Sequence, residues 1–503
     1  MIIKKTHLKY LFILFSPFFI TKTDNKLDLE SRTAIFNQHL INNNTVETDH
    51  PILKHLNNLL IENNVVEENQ KRKIKIVKSE APKMEEKEWT CIIYIAADND
   101  LRNFAIRNIQ QMTRIGSTDH INIVIHLDIK LTSGKKATYR YFIKKDEIVH
   151  LNANEPSTQC MDSGDTKTVT SFAEYSIKNF PAKNVGLIFW NHGSGALEPM
   201  GGRIINAANL FTINPTNNKL VLDRSHGFIE IAQNKNKEQR GICWDDSTGN
   251  FITNKELEDV LKYISEKCLY GKKIAILGFD ACLMQMVEIT NIAKKYADIM
   301  VGSQEVELGN GWNYADIFSP FKDKSLDKKE FAQHIVKSYE DQYINITNDF
   351  TLSAINLENI KPLEQNINEL SYLLMQALRL QKNNSVKQII KISKNRLLCT
   401  HFDEPSYLDL YNLYHNFLAN LCHIQLFSKK ETEQLCVKLK TTLEEGLCLI
   451  QKSIIDHVKG ESLANSYGLS IYFPEYRIHQ SYRHNPFAKT NDWILFLTQY
   501  LII

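Results

Sequence analysis

Short apolar segments alternate with helical patterns from Trp89 to about residue 305, and this alternation constrains the fold more than any other feature of the chain. The segments are apolar at nearly every position, which is typical of strands buried on both faces of a sheet. Strands are predicted in WTCIIYIAADNDL (89–101), INIVIHLDI (121–129), VGLIFWNHGSG (185–195), KIAILGF (273–279) and ADIMVGSQE (297–305), and helices in 104–115, 171–180, 257–267 and 286–296. The pattern predicts an α/β fold, a mainly parallel sheet with helices on both faces. Sites in such sheets lie at the carboxyl ends of the strands.

The N-terminal part of the chain differs from this core. Residues 1–22 place three lysines before an apolar run, as in a signal peptide, although no small-x-small cleavage site follows. An uncleaved N-terminal anchor is the alternative. Residues 23–88 are a polar leader and a candidate propeptide, with helical spacing in 52–62. The basic run at 71–78 indicates a linker or an edge strand.

The remaining chain divides into a core and a C-terminal region. Residues 89–316 form the predicted core, interrupted at about 196–240 by a polar insertion too long for an ordinary connection. Residues 317–503 are largely helical, with added strands predicted at 351–357 and 467–474.

Charge and cysteine content exclude several classes of protein. The net charge is only +2, so bulk charge does not favour nucleic-acid binding, and no nucleic-acid partner is expected. The nine cysteines form no CxxC pair, which excludes a zinc knuckle or a thioredoxin-type motif. Their scattered spacing favours single thiols.

Two predicted strand ends carry reactive side chains. His192 follows one strand in WNHGSG, and Cys282 follows another in GFDACLM. If the two strands are parallel neighbours, both side chains lie at the same sheet edge, as a Cys–His dyad requires. Taken singly, a strand-end histidine is more often structural and a cysteine after an apolar strand is more often core.

The chemistry of a dyad assigns a role to each residue. His192 would deprotonate the Cys282 thiol and later protonate the leaving amine. Cys282 also precedes a helical pattern, LMQMVEIT (283–290), and the N-terminus of this helix is expected to lower the pKa of the thiol. The backbone N–H groups of Cys282 and Gly193 are candidates for an oxyanion hole, and glycine at 193 would leave room for the substrate carbonyl.

Five stretches together resemble the clostripain family of cysteine peptidases: IYIAADNDL, FWNHGSG, GFDACLMQMVEI, GSQEVELGNGWNY and YGLSIYFP. The resemblance extends from about Trp89 to Pro474. It implies a caspase-like α/β/α sandwich related to the gingipain, legumain and caspase peptidases. It also implies an endopeptidase that cleaves proteins or peptides after Arg or Lys. Together with the predicted signal segment, it implies that the protein is secreted or lies in the cell envelope.

The resemblance also implies residue roles. His192 matches the catalytic histidine, Cys282 the nucleophile, and Asp280 the acid of the primary specificity pocket, where a carboxylate would pair with a basic side chain. A helix-capping role is the alternative for Asp280. Ser303 and Glu305, at the end of the next strand, are further substrate-binding candidates, with ordinary strand-end polarity as their alternative.

Precursors of this family often cut themselves between the histidine and cysteine motifs. The insertion supplies basic residues there, Arg224, Lys235, Lys237 and Arg240, and processing is predicted at one of the last three. A solvated charged loop is the alternative. Because some relatives depend on calcium, Asp245 and Asp246 are candidate ligands, but calcium needs roughly six to eight oxygens. No cofactor is therefore expected, and a turn or helix cap is the better interpretation of the two acids.

Other functions fit the sequence less well. A serine α/β-hydrolase would need a GxSxG elbow, and a nucleotide-binding protein a GxGxxG or GxxxxGK[ST] loop, none of which occurs. A degenerate peptidase that acts as a secreted binding or surface protein is the remaining alternative.

Overall fold

The computed structural model describes residues 51–63, 74–82, 84–131, 133–198, 207–225, 241–380, 385–421 and 430–502. The predicted signal segment or anchor at 1–22 and the predicted processing residues Lys235, Lys237 and Arg240 lie outside these ranges. Within them, no helix is both long and apolar enough to cross a membrane.

A large mixed sheet forms the centre of the molecule. In chain order the described strands are β1 (Lys75–Lys78), β2 (Lys87–Ala97), β3 (Ile121–Lys130), β4 (Lys136–Lys144), β5 (Glu147–His150), β6 (Ala182–Trp190), β7 (Phe211–Ile213), β8 (Leu220–Leu222), β9 (Ile242–Asp245), β10 (Asn250–Ile252), β11 (Ile274–Asp280), β12 (Ala297–Gly302), β13 (Thr351–Asn356), β14 (Tyr407–Asp409), β15 (Ile454–Lys459) and β16 (Ser470–Tyr472). Ten of them form the sheet, in the order β1-β5-β4-β3-β2-β6-β11-β12-β13-β15. The five strands from β3 to β12 are parallel, as the sequence predicts, and β4, β13 and β15 add antiparallel pairs at the sides.

Helices cover both faces of this sheet. The described helices are α1 (Pro51–Glu62), α2 (Arg102–Ile115), α3 (Thr166–Asn179), α4 (Asn254–Tyr263), α5 (Val287–Ala293), α6 (Tyr314–Ile317), α7 (Lys328–Tyr343), α8 (Ile360–Leu380), α9 (Ser385–Ser393), α10 (Leu410–Leu421), α11 (Lys430–Ser453), α12 (Pro486–Thr490) and α13 (Trp493–Ile502). Helices α2, α6 and α7 form one layer, and α3, α4, α5 and α8 form the other. The predicted α/β/α arrangement is therefore confirmed.

The fully buried Trp89 illustrates how the layers are joined. Its indole N–H donates a 2.8 Å hydrogen bond to the carbonyl of Leu326, and its ring packs edge-on against Phe331 of α7. From Trp89 to Ala97 every residue of β2 is buried. Burying one large apolar side chain typically contributes roughly 1.5–3 kcal/mol to the free energy of folding. The continuous burial of β2 therefore makes this strand a principal source of stability.

The sheet extends beyond the predicted core on both sides. Strand β1 comes from the polar leader and pairs in parallel with β5, so the edge-strand interpretation of the basic run is correct. Strands β13 and β15 come from the C-terminal region. Of the two strands predicted there, one corresponds to β13 of the large sheet. The other corresponds to β16, which pairs with β14 in a separate two-stranded sheet. The helical spacing in the leader corresponds to α1, which buries Leu56, Leu59 and Leu60.

Residues 196–198 and 207–225 are the described parts of the predicted insertion, and the second part forms its regular structure. This second part forms a short 3₁₀ turn and the antiparallel hairpin β7–β8. The hairpin contacts α1 on one side, where the imidazole of His55 lies 2.8 Å from the carbonyl of Asn218. On the other side it runs along residues 346–349. This part of the insertion is packed onto the core.

Candidate active site

The register of β6 and β11 brings the two predicted catalytic residues to the same edge. The strands are parallel neighbours, and Asp280 is paired with Trp190. Cys282 and His192 each follow these paired residues by two positions, so both lie at the same level beyond the strand ends. Both line one cavity, which Leu101 and Leu210 close. The predicted convergence of the two strand ends is therefore observed.

His192 is held by an acid that the sequence analysis missed. Its Nε2 lies 2.7 Å from Oδ1 of Asp100, and its ring packs against Trp244 with centroids 5.2 Å apart. Asp100 follows β2, which lies beside β6 in the sheet. The stretch IYIAADNDL contains it, so an acid at a third neighbouring strand end was the available signal. The order of the strands was not readable from the sequence.

The contact with Asp100 determines which imidazole nitrogen can act as a base. An ionised carboxylate only accepts hydrogen bonds, so Nε2 carries its proton toward Asp100. The basic lone pair of a neutral His192 is then on Nδ1. A carboxylate in this position fixes the tautomer and the ring orientation and stabilises the imidazolium form.

The thiol of Cys282 is buried, and its pKa is raised, not lowered as predicted. Burial is the main cause, and the nearby carboxylates of Glu307, Asp403 and Glu305 add to it. The backbone N–H of Glu307, 3.3 Å from the sulfur, opposes the shift. The predicted helix effect is absent because α5 begins only at Val287, five residues further on. In this form the thiol is protonated and weakly nucleophilic.

Gly193 has no space for a side chain. A Cβ at this position would lie 2.4 Å from the carbonyl oxygen of Cys282 and 2.9 Å from Met284. Glycine therefore allows the two strand-end loops to pack closely, whereas the sequence analysis expected the space to admit a substrate carbonyl.

Asp280 lies at the base of the same cavity and does not cap a helix. One of its oxygens accepts hydrogen bonds from the Tyr314 hydroxyl at 2.9 Å and the Trp312 N–H at 3.2 Å. Burial raises its pKa to about 7. The neighbouring carboxyl of Glu307 is also buried, and burial together with Asp280 raises the pKa of Glu307 well above its usual range.

The cavity is small. Its volume is about 20 Å³, room for about one water molecule. An Arg or Lys side chain does not fit, so the described form cannot bind such a residue over Asp280 without movement.

The two weaker substrate-binding candidates have different surroundings. Ser303 is buried, and its hydroxyl lies 3.0 Å from that of Thr351, which is a structural contact. Glu305 is also buried, but one of its oxygens lies 2.7 Å from the guanidinium of Arg224, a residue of the insertion. Glu305 thus already binds a basic side chain.

Asp245 binds an ammonium group. Lys136 Nζ lies among the carboxylates of Asp245, Asp128 and Asp98, at 2.9 Å from Asp128 and 3.8 Å from Asp98. The other oxygen of Asp245 accepts the N–H of Thr248 at 3.1 Å, which is the predicted turn. Within the described ranges, no group of three or more His, Cys, Asp or Glu side chains could hold a metal ion. Asp245 does not fit a calcium site, because Lys136 supplies the positive charge.

The fold resembles solved cysteine peptidases. A secreted C11 cysteine protease from Bacteroides thetaiotaomicron, in complex with an irreversible peptide inhibitor, is 17% identical with a TM-score of 0.52, over 81% of this chain and 99% of that one. An inactive zymogen C11 protease from Parabacteroides distasonis is 18% identical with a TM-score of 0.48, over 82% and 99%. No curated protein matches the chain.

The chain is thus a cysteine peptidase with a caspase-like fold. It belongs to the clostripain family, whose C11 peptidase model matches residues 93–203 and 210–499.

Proposed function

We propose that this peptidase is an endopeptidase that cleaves after Arg or Lys with Cys282 as nucleophile and His192 as base. The observation that carries the proposal is the convergence of His192, Cys282 and Asp100 at the ends of the neighbouring strands β6, β11 and β2. In the reaction, Nδ1 of His192 takes the thiol proton, and the sulfur attacks the peptide carbonyl carbon. The imidazolium then protonates the leaving amine, and water hydrolyses the thioester.

Stabilisation of the tetrahedral intermediate is assigned to two backbone N–H groups. Those of Gly193 and Cys282 are the candidates, because each belongs to a loop that follows one of the two strands. Removing one donor of an oxyanion hole typically costs roughly 10²–10³ in kcat. The basic side chain of the substrate is assigned to Asp280, which lines the cavity, and to Glu305 and Ser303, which follow the neighbouring strand β12.

The described form is proposed to be an uncleaved precursor. Its cavity is too small for a substrate side chain, and its thiol is buried. Self-cleavage after Lys235, Lys237 or Arg240 would separate the two strand-end loops into different chains and allow the cavity to open. Export through the N-terminal segment completes the proposal, with the protein secreted or in the cell envelope.

Hydrolysis of reporter peptides tests the activity. Wild type, Cys282→Ala and His192→Ala are compared on reporters that end in Arg, Lys or Gln, before and after limited trypsin treatment. Cleavage of the Arg and Lys reporters by wild type alone is expected. If treated wild type cleaves none of them, the proposal fails, and a degenerate peptidase that binds peptides becomes the better account.

N-terminal sequencing of the secreted material tests processing and export. A two-chain product with a new N-terminus after 235, 237 or 240 is expected for wild type and not for Cys282→Ala. The same product from Cys282→Ala would contradict self-cleavage.

A further inference from the structure

Arg224 places a guanidinium group among buried acids beside the active site. Its Nη2 lies 2.7 Å from Glu305 and 3.5 Å from Asp349. The side chains of Glu305 and Asp349 are 0% and 6% exposed, whereas that of Arg224 is 36% exposed. Burial alone would lower the pKa of Arg224, but Glu305 and Asp349 outweigh it and raise the pKa. The acids are thus part of the core, and the arginine reaches them from the surface.

The carboxylate of Glu305 is fixed independently of the arginine. Its second oxygen accepts backbone N–H groups from Val306 and Asp403, each at 2.9 Å. These bonds leave its other oxygen directed at the guanidinium. Asp349 is held by the hairpin that carries Arg224, because its Oδ2 accepts the N–H of Leu222 at 3.2 Å. A preorganised acid such as Glu305 can bind a basic side chain from any source.

The hairpin β7–β8 delivers Arg224 to this site. The N–H of Leu220 donates to the carbonyl of Ile346 at 2.8 Å, and the N–H of Asp223 donates to that of Leu210 at 2.8 Å. Leu210 also lines the cavity that contains His192 and Cys282. One segment of the insertion therefore closes the catalytic cavity and fills the acidic site.

Glu305 is joined directly to the nucleophile loop. Its carbonyl accepts the N–H of Leu283 at 3.2 Å, and the N–H of Glu307, two residues further on, lies 3.3 Å from the Cys282 sulfur. The residue that would bind a basic side chain, Glu305, is therefore only two positions from Glu307, which contacts the thiol.

We propose that Glu305 and Asp349 form a binding site for a basic side chain of the peptide substrate, and that Arg224 occupies this site as an internal competitor. The site would accept a guanidinium better than an ammonium, because two carboxylates flank it and a guanidinium can donate to both. The inference rests on the proposed function, because it concerns a site for the substrate of that reaction. The test is independent of the proposed function, because binding can be measured without catalysis.

Binding of arginine amide to the full chain tests the site. All variants carry Cys282→Ala, which prevents self-cleavage, and titration calorimetry measures the affinity at pH 7.5. Arg224→Ala should bind arginine amide at least about tenfold more tightly than the parent, equivalent to about 1.4 kcal/mol. Adding Glu305→Gln should abolish that gain, and adding Asp349→Asn should reduce it.

Lys219→Ala is the matched control, because it removes a cation from the same hairpin. The Lys219 ammonium donates to the carbonyl of Ile344 and the side chain of Asn348, both at 2.8 Å, and to neither acid. The Lys219→Ala variant should bind arginine amide no more tightly than the parent. The inference is overturned if Arg224→Ala shows no gain, if the gain survives Glu305→Gln, or if Lys219→Ala shows an equal gain.

Thermal unfolding covers the case in which Arg224→Ala is unstable, since the variant leaves Glu305 buried without its partner. Arginine amide should then raise the Tm of Arg224→Ala and leave that of the parent unchanged, because a ligand stabilises only the form that binds it. No rise would overturn the inference. Inactivity of the wild-type enzyme on reporter peptides would refute the proposed function and leave these binding results unaffected.

Discussion

Oδ1 of Asp100 lies 2.7 Å from Nε2 of His192, and the two residues follow neighbouring parallel strands. This edge of the sheet therefore carries Asp100 and the two candidate catalytic side chains at the ends of three consecutive strands, β2, β6 and β11. Asp100 contacts the imidazole of His192. We expect it to be a positioning residue that acts through this ring.

Asp100→Asn should lower kcat by about ten- to a hundredfold with little change in KM, because a misoriented base loses part of a contribution that is typically 10²–10⁴. Asp119→Asn, which changes an exposed acid before β3, is the control and should behave as wild type. An unchanged kcat in Asp100→Asn would remove the assigned role.

Alkylation should reveal the buried thiol. Burial raises the pKa of Cys282, so at pH 8 a smaller fraction of this side chain is thiolate than for an ordinary cysteine. The rate of alkylation of Cys282 should therefore increase as the pH rises. With iodoacetamide and peptide mass spectrometry, Cys282 of the uncleaved His192→Ala chain should react at least about tenfold more slowly than the exposed Cys160 and Cys448. Equal rates at pH 8 would show that the thiol is accessible in the precursor.

Lys136→Met should destabilise the protein by roughly 3–5 kcal/mol, because it leaves the buried carboxylates of Asp98, Asp128 and Asp245 without their cation. Urea unfolding of the Cys282→Ala chain measures the effect. Lys135→Met changes the adjacent, exposed lysine and should be close to neutral. A loss below about 1 kcal/mol in Lys136→Met would mean that the three acids are satisfied in another way.

Glu288→Gln should stabilise the protein at alkaline pH. Glu288 is fully buried beside Tyr472 and Tyr482, and burial raises its pKa from 4.5 to about 7. A carboxyl group whose pKa is higher in the folded state than in the unfolded state contributes stability at pH values below its unfolded-state pKa. This contribution is lost as the pH rises through the folded-state pKa of about 7. The variant should therefore differ from wild type by less than about 1 kcal/mol near pH 5 and exceed it by about 3 kcal/mol at pH 8.

Unfolding of Cys282→Ala chains in urea at the two pH values measures this difference. The exposed Glu266→Gln is the matched control and should follow wild type at both. A Glu288→Gln variant that is less stable than wild type at pH 8 would contradict the assignment.

The sequence predicted the parts of the site that depend on single strands. His192 and Cys282 follow apolar runs, and a parallel sheet places such positions at one edge. The neighbours of these residues depend on strand order and on distant loops. Asp100 requires knowing that β2 lies beside β6, and the contact between Arg224 and Glu305 joins residues 81 positions apart through a hairpin with no strong pattern.

The predicted thiol pKa was wrong for a related reason. The expectation extended the helical pattern of 286–296 back to Cys282, whereas the loop after Cys282 continues to Met286 before α5 begins. A positive φ of 63° at Leu283 marks this turn. Without a helix terminus at the sulfur, burial decides the direction of the shift.

Strand β1 limits where the proposed removal of the leader could occur. It belongs to the leader by sequence, yet it covers the outer edge of β5, with Ile76 and Val77 paired to Ile148 and Val149. A cut between α1 and β1 would release the helix that supports the hairpin and keep the sheet intact. A cut after Lys78 would expose a bare strand edge, which favours association with other chains. If the leader is removed, the new N-terminus is therefore expected upstream of Lys75, and β1 is expected to stay with the catalytic domain.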